Sequence, residues 1–235
     1  MSTQKLVIKT GENSEVELVD FSDLDVTLED DCQLLLRLAN FGNTEKLKIT
    51  ANLGRNTNFD VVFADFSSAN ISVKTQVNLN KECASCKWHL AALSGANFVK
   101  RFDVNFAHKV GHTFALMDNY GVARDKSEII FSGINHILEG AKGSETAQNA
   151  KIIVFDPDAR GTASPILKID ENDVKASHGA VVGQLNEDHM FYLMSRGLTK
   201  EEARALITLG YLQPISNRFS KKVQERILKL IQEAM

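Results

Sequence analysis

Hydrophobic and polar residues alternate in a long series of short segments between residues 5 and 169. Leu47, Ile49, Ala51 and Leu53 occupy every second position, a period typical of strands with one buried face. Gly, Asn and Asp separate the segments, and these residues tolerate turn geometry. The pattern predicts many short strands: KLVIKT, EVELVDF, DVTLED, CQLLLRLANF, LKITANL, FDVVFADF, ANISVKTQVNL, RFDVNFAH, SEIIFSGINHILEG, KIIVFD and PILKID.

Two all-β architectures are compatible with such a series. A sandwich or barrel is expected to contain tight hairpin dipeptides, and the chain has neither Asn-Gly nor Asp-Gly. A solenoid of stacked parallel coils needs only repeated strands with turns between them. The three prolines, at 157, 165 and 214, all come late, so the earlier strands can be hydrogen-bonded on both sides. We favour a parallel β-helix, although the segments show no clean period.

The last fifty residues have a helical pattern. Asn186 precedes EDHMFYLMSR and Gly197 follows it, which are start and stop signals for a short helix. Thr199 and Glu202 form a capping box for a second helix that we expect to end at Gly210.

A third helical segment follows Pro214. Its apolar residues lie on one helical stripe, which we expect to pack as core: Phe219, Val223, Ile227, Leu230, Ile231 and Ala234. The sequence therefore predicts a β-helix over residues 1–182 and a small helical domain over residues 183–235.

Composition and charge exclude several partners. The 235 residues carry a net charge of −3, so no general cationic field is available for nucleic acid or an anionic membrane. No apolar segment approaches the length of a membrane span, and the N-terminus lacks a signal-peptide pattern. Three cysteines, an odd and small number, fit reduced thiols better than a disulfide framework. We expect a cytoplasmic protein.

The segment ECASCKWHL contains the densest group of potential metal ligands. Cys83, Cys86 and His89 offer thiolate and imidazole groups, which zinc or an iron–sulfur cluster would select. A structural zinc site needs a fourth ligand, and no second Cys/His pair follows. On a strand, residues 83 and 86 also point to opposite faces. We favour packed cysteines over a metal site.

The other histidines occur singly or in β-patterned sequence. His108 and His112 are four residues apart, a spacing that would bind metal on a helix, but here a turn is expected between them. His136 fits a satisfied strand imidazole, and His189 fits an exposed helical position. His178, between a serine and a glycine, is interpreted from chemistry alone as a residue that bonds backbone at the boundary between strand and helix.

Common catalytic motifs are absent. The chain has no G-x4-GK[ST] P-loop, so we expect it to bind no nucleotide by itself, and it lacks G-x-S-x-G, HExxH and G-x-G-x-x-G. A non-catalytic scaffold is therefore favoured. Two alternatives stay open: a self-assembling cytoplasmic β-helix unrelated to clusters, and a carbohydrate-active β-helix enzyme using acids such as Asp103, Asp118 or Asp156.

Two motifs near the C-terminus, SHGAVVGQL and FYLMSRGL, resemble the carboxy-terminal signature of the SufB/SufD family of the Suf iron–sulfur cluster assembly machinery. Upstream, the FSG strand and the PILKI segment, of the form P-x-L-x-I, are similar to the core of that family. The resemblance extends over about residues 100–215 and is diffuse before that.

The resemblance implies a right-handed parallel β-helix followed by a C-terminal helical bundle. It also implies partners: a SufB-like subunit or a second copy paired through the β-helix, the Suf ATPase on the helices, and indirectly a cysteine desulfurase. Residues 186–235 would then dock the ATPase, with Tyr192, Arg196 and Tyr211 as candidates. His178 matches the histidine implicated in assembly of a transient iron or iron–sulfur cluster at the subunit interface.

Three departures from the family pattern qualify the resemblance. Ala176 stands where many relatives have a cysteine, and Gly179 stands where SufB-like members have glutamate. No cysteine follows Cys86, so the chain resembles the SufD-like members more than the SufB-like ones. The sequence starts directly in strands, whereas relatives begin with a helical region, and the resemblance leaves open the functions assigned to that region, including any part in flavin binding.

Overall fold

The computed structural model describes residues 3–234, in which fourteen strands form two parallel sheets around one apolar interior. Odd-numbered strands build sheet A and even-numbered strands build sheet B, and every pairing is parallel. The predicted β-solenoid is thus confirmed. The strands are β1 Gln4–Ile8, β2 Asn13–Val19, β3 Leu24–Leu28, β4 Gln33–Asn40, β5 Lys46–Leu53, β6 Asn58–Asp65, β7 Ile71–Leu79, β8 Ser85–Ser94, β9 Val99–His108, β10 Phe114–Ala123, β11 Glu128–Ile137, β12 Ser144–Val154, β13 Arg160–Ile169 and β14 Val174–Gln184.

Alternate residues of each strand point into the interior. In β9, Phe102, Val104 and Phe106 are buried, as their period predicts. Phe63 packs edge-on against Trp88 and Phe102, with 6.0 Å between ring centroids in each pair. Strands β8, β10 and β14 were not among the predicted segments. The inward positions of β10 hold alanine, methionine, asparagine and glycine rather than β-branched residues, so the strand signal is weak there.

The solenoid widens from its first coil to its last. Asn13 pairs with Gln33, 20 residues further along the chain, whereas Phe114 pairs with Glu145, 31 residues further. Strand length rises in parallel, from 5 residues in β1 to 11 in β14. We call the end formed by β13 and β14 the wide end. The growing coil length explains why the sequence has no clean period.

One corner of the solenoid is built from left-handed residues stacked on one another. Asp31, Asn56, Cys83 and His112 have φ values between +53° and +59°, and Gly143 continues the stack at +67°. The backbone N–H of Asp31, Asn56, His112 and Gly143 donates to a carbonyl in the following coil, at 2.7–3.1 Å. These bonds satisfy the turn backbone and join consecutive coils.

Three helices follow the strands: α1 Glu187–Ser195, α2 Lys200–Ser216 and α3 Lys221–Ala234. Asn186 caps α1 by accepting from the His189 N–H at 3.0 Å, and Thr199 with Glu202 forms the predicted capping box of α2. The expected end of α2 at Gly210 was wrong. The helix continues through Pro214. Because proline has no N–H, the carbonyl of Gly210, four residues earlier, loses its helical hydrogen bond.

Helices α2 and α3 pack against the outer face of sheet B. The apolar contact joins six residues of the sheet, Ala39, Val62, Ala64, Ala91, Leu93 and Val122, to six of the helical region, Leu212, Ile215, Phe219 of the α2–α3 connection, Val223, Ile227 and Ile231. The predicted core stripe of α3 is thus confirmed. Arg218 extends the contact through an ion pair with Asp60 and a hydrogen bond from Arg37 to its carbonyl. None of the helices within residues 3–234 is long and apolar enough to cross a membrane.

Candidate functional site

The wide end leaves the last strand of each sheet with one unpaired edge. At the two ends of β13, the N–H groups of Arg160 and Asp170 donate to carbonyls at the two ends of β11. Peptide groups alternate in direction along a strand, so those of the odd-numbered residues in between face the free edge. Pro165 is one of these, and its missing N–H therefore costs no hydrogen bond. In β14, the same alternation directs the peptide groups of residues 176, 178, 180 and 182 at the free edge.

His178 lies on the inward-facing side of β14. It pairs in register with Gln148 of β12, which is 2% exposed and lies in the same row as the buried Met117 and Trp88. The His178 side chain is nevertheless exposed, because the structure places no further coil over it. His178 is therefore an interior position of the solenoid that is open to solvent.

The surroundings of His178 are apolar. The register places eleven residues of β13 and β14 on the inward-facing side, and we call these eleven the terminal row: Gly161, Ala163, Pro165, Leu167, Ile169, Val174, Ala176, His178, Ala180, Val182 and Gln184. His178 and Gln184, the last residue of β14, are the polar side chains in this row. Ala176 shares its face, whereas Gly179 points to the outer face, where an added Cβ would meet only Asn149 Oδ1 at 3.6 Å. The residues adjacent to His178 in its strand thus add no metal ligand.

The interior directly beneath the terminal row contains several polar side chains. Asn135 donates to Thr146 Oγ1 across the interior at 2.5 Å, and Gln148 donates to the Ile166 carbonyl at 3.2 Å. The side-chain oxygens of Asn135, Gln148 and Asn119 are buried without a hydrogen-bond partner in the described structure. Sequence reasoning missed these residues, although polar residues at inward positions of a strand were a visible signal.

A second buried polar cluster lies at the corner between β9 and β10. His108 Nδ1 is 2.7 Å from Thr113 Oγ1, which is 2.9 Å from Ser144 Oγ. Burial lowers the pKa of His108 to about 4, so the ring is neutral near pH 7. Its Nε2 is buried and has no hydrogen-bond partner among residues 3–234. The imidazole is thus a core group held by hydroxyls.

The structure does not bring the ECASCKWHL ligands together. Cys83 lies at the exposed corner, Cys86 is buried inside the solenoid, and His89 lies on the outer face between Asp60 at 3.7 Å and Asp118 at 3.5 Å. Burial raises the pKa of the Cys86 thiol, which disfavours the thiolate that a metal would bind. Within residues 3–234, no group of three or more His, Cys, Asp or Glu side chains could hold a metal ion.

The remaining histidines are dispersed. His112 lies at the exposed corner, separated from the buried His108, and its ring covers Gly143. His136 Nε2 is 2.6 Å from Asp170 Oδ2 on sheet A, which fits the predicted satisfied strand imidazole. His189 is exposed in the first turn of α1, as predicted.

The three acids considered for catalysis lie on different surfaces and are each engaged. Asp103, on sheet A, accepts from Ser132, and Asp118, on sheet B, accepts from Asn149 at 2.8 Å. Burial acts to raise the pKa of Asp118, but hydrogen bonds from His89 and Asn149 outweigh it and lower the net value. Asp156 follows β12 and binds Arg204. These carboxylates form no pair suited to glycoside hydrolysis.

The predicted docking residues occupy two different environments. Tyr192, on α1, is 57% exposed, and the Arg196 guanidinium lies 5.2 Å from its ring centroid. Tyr211 is partly buried and packs edge-on against Tyr120 of sheet B, with 5.5 Å between centroids. Burial raises the pKa of Tyr211 to about 12. Tyr211 therefore belongs to the contact between helices and solenoid.

Sequence reasoning missed the exposed apolar side chains of the helical region. Phe191 is 75% exposed and Met194 46%, both on α1, and Leu206 of α2 is 48% exposed. A groove of about 610 Å³ runs between α2 and α3, lined among others by Arg196, Leu206 and Leu228. Exposed aromatic and methionine side chains of this size are typical of surfaces that bind other proteins.

Comparison with known proteins gives a consistent result. The family model described as "SUF system FeS cluster assembly, SufBD core domain" matches residues 1–211. The chain is 37% identical over 133 residues to the iron-sulfur cluster assembly protein SufD of Bacillus subtilis, covering 54% of this chain and 30% of that protein. It is 24% identical to a SufBD family protein of Staphylococcus saprophyticus, over 61% of this chain and 31% of that protein. It is 30% identical to a SufBD family protein of Mycobacterium tuberculosis, over 54% of this chain and 15% of that protein. The matches span less than a third of these relatives.

Proposed function

The chain belongs to the SufB/SufD family of Suf iron–sulfur cluster assembly proteins, and from this premise we propose that it is a non-catalytic scaffold subunit of a Suf-type assembly complex. In this proposal, the wide end pairs with a SufB-like subunit or a second copy, and the C-terminal helices dock the Suf ATPase. His178 holds iron or a nascent cluster at the subunit interface.

The observation that carries the proposal is the position of His178 on the wide end. It is the one histidine in a mainly apolar row, and it lies on β14, which like β13 has an unpaired edge. An apolar platform with free edges favours association with another sheet. A partner seated there would enclose His178, because the inward face of β14 would then become interior.

The chemistry of an enclosed imidazole suits iron. Imidazole is a borderline ligand that binds iron, and it can exchange a proton near neutral pH. Ala176 and the other members of the terminal row offer no thiolate or carboxylate. The remaining ligands of any cluster would therefore come from the partner, whose thiolate would bind the iron.

Docking of the ATPase is proposed for the helical region. Phe191, Tyr192 and Met194 are exposed on α1, and Arg196 lies against the Tyr192 ring. Aromatic, methionine and arginine side chains are common in protein interfaces. A nucleotide-hydrolysing partner would supply the P-loop that this chain lacks. Tyr211 would act indirectly, by holding α2 against Tyr120.

Pairing through the wide end is tested at its free edge. Ala180→Pro removes one N–H directed at the free edge, and Ala180→Ser is the matched control that keeps it. Co-purification with a coexpressed SufB-like subunit, and the mass of the chain alone in solution, measure pairing. We expect Ala180→Pro to abolish pairing and Ala180→Ser to retain it. Equal pairing by both variants, or growth of filaments, would contradict this part of the proposal.

The role of His178 is tested in cells that depend on this chain for cluster maturation. We expect His178→Ala to impair maturation of an iron–sulfur client while changing the free energy of unfolding by less than about 0.5 kcal/mol, as is usual for exposed positions. His189→Ala removes another exposed histidine and should have no effect. Normal maturation with His178→Ala, or a collapse of its stability, would refute the assignment.

Docking is tested with the coexpressed ATPase. Tyr192→Ala and Arg196→Ala should each weaken its co-purification, whereas Tyr211→Phe, which keeps the buried ring, should bind normally. Retention of the ATPase by a Tyr192→Ala, Arg196→Ala double variant would exclude this surface.

A further inference from the structure

The side-chain amide of Gln148 is held in one orientation beneath His178. Its Nε2 donates to the Ile166 carbonyl at 3.2 Å, across the interior. Because an amide group is planar, this bond directs Oε1 to the opposite side. Gln148 is 2% exposed, and Oε1 is buried with no hydrogen-bond partner among residues 3–234. A buried carbonyl oxygen of this kind favours any conformation that supplies a donor.

Few neighbours can supply that donor. On one side in the row lies Met117, whose thioether has no hydrogen to donate. Along β12, Thr146 already uses its hydroxyl proton on the Ala115 carbonyl at 3.3 Å, and Ala150 is apolar. On the other side lies His178, whose ring carries N–H groups. The amide of Asn119 lies diagonally, in the row of Ala150, so the imidazole is the donor directly in register with Gln148.

We propose that Gln148 Oε1 accepts an N–H from the His178 ring and thereby selects one tautomer of the imidazole. Gln148 is then a positioning residue: with the proton fixed on the inward nitrogen, the lone pair of the other nitrogen points out of the wide end. Histidine ligands are commonly oriented in this way by an acceptor behind the ring. The value of this tautomer as a ligand rests on the proposed function, whereas the hydrogen bond does not.

The test measures the tautomer directly. Long-range ¹H–¹⁵N spectra of the full chain with ¹⁵N-labelled histidine are recorded at about pH 8, above the ordinary histidine pKa of about 6.5. The spectrum of His178→Ala identifies the signals of His178. We expect about a tenfold preference for one tautomer in the unmodified chain, since a single hydrogen bond can provide a factor of that order.

Two variants and a control complete the experiment. Gln148→Met removes the acceptor at nearly the same volume and should populate both tautomers, whereas Gln148→Glu keeps an acceptor and should retain one. Gln76→Met alters an outward-facing glutamine of sheet A and should leave the His178 signals unchanged.

Either of two results would overturn the proposal: mixed tautomers in the unmodified chain, or a fixed tautomer in folded Gln148→Met. If circular dichroism shows that Gln148→Met does not fold, Gln148→Ala replaces it. A fixed tautomer of His178 in folded Gln148→Ala would then overturn the proposal. A fixed tautomer together with normal cluster maturation in His178→Ala would refute the function proposed for His178 and leave the hydrogen bond standing.

Discussion

Arg204, on α2, donates from Nη2 to Oδ2 of Asp156, in the turn after β12, at 2.7 Å. The same guanidinium lies 5.0 Å from the ring centroid of Phe155. Burial acts to raise the pKa of Asp156, but hydrogen bonds from Arg204 and from the Asp125 N–H outweigh it, so the net pKa is lowered. A partly buried charge pair therefore fastens α2 to the wide half of the solenoid.

Replacing Asp156 by Asn should weaken this attachment. We expect a loss of about 1–2 kcal/mol in the free energy of unfolding at pH 7, because Arg204 loses its charged acceptor. Since the folded pKa is lowered, the contribution is present above the ordinary value of about 3.9 and is lost as the pH falls below it. Urea unfolding at pH 7 and at about pH 3 measures both effects. Asp158→Asn, an exposed carboxylate in the same turn, is the control and should change neither.

His108 should make stability depend on pH in a higher range. Burial lowers its folded pKa to about 4, so the unfolded chain binds a proton that the folded chain does not between about pH 4 and 6.5. Stability should fall by about 3 kcal/mol as the pH decreases across that range. His108→Gln removes this slope, and His189→Gln, at an exposed position, keeps it. An identical slope in His108→Gln would assign the effect to other groups.

The cysteines should differ in reactivity. Cys83 is exposed, whereas Cys32 and Cys86 are buried and burial raises the pKa of each thiol. A thiol-alkylating reagent applied to the folded chain at about pH 8 should therefore add one label, measured by intact mass. Cys83→Ser should take up none until urea is added. Rapid labelling of Cys86 in the folded chain would show that the interior opens.

Gly143 should be intolerant of a side chain. Its φ is +67°, and an added Cβ would lie 2.7 Å from His112 Nδ1. Gly143→Ala is expected to cost about 1–3 kcal/mol through strain at this position. Gly183→Ala, where no atom lies within 4 Å of the added Cβ, should be close to neutral. The difference between the two melting curves is the measurement, and equal curves would contradict the strain argument.

Much of the fold follows from local pattern. The period-two segments predicted most strands. Pro165 agrees with the edge position of β13, because its nitrogen faces the free edge, where no hydrogen bond is lost. Strands β8, β10 and β14 were not predicted as segments because their inward positions include small and polar residues such as Ala92, Asn119 and His178. The end of α2 was misplaced because packing against sheet B outweighs the weak helix propensity of Gly210.

The candidate site depends on information that a single sequence does not contain. The motif around residue 178 pointed to a histidine, but the direction of its side chain depends on the register between β12 and β14. Gln148, thirty residues earlier, comes next to His178 only through that register. The same holds for Cys83 and Cys86, whose proximity in sequence suggested a shared ligand and whose side chains lie in different environments.

The widening of the solenoid limits how copies can add to one another. A strand of 10 or 11 residues at β13 or β14 finds a partner of equal length in another wide end, whereas β1 offers only 5 residues. Stacking the wide end of one copy on the narrow end of the next would leave about half of β13, and a smaller part of β14, without a partner because β1 has 5 residues and β2 has 7. Wide-to-wide contact satisfies both edges at once and buries them. The taper thus favours a closed pair and opposes the open-ended fibres to which untapered β-solenoids are prone.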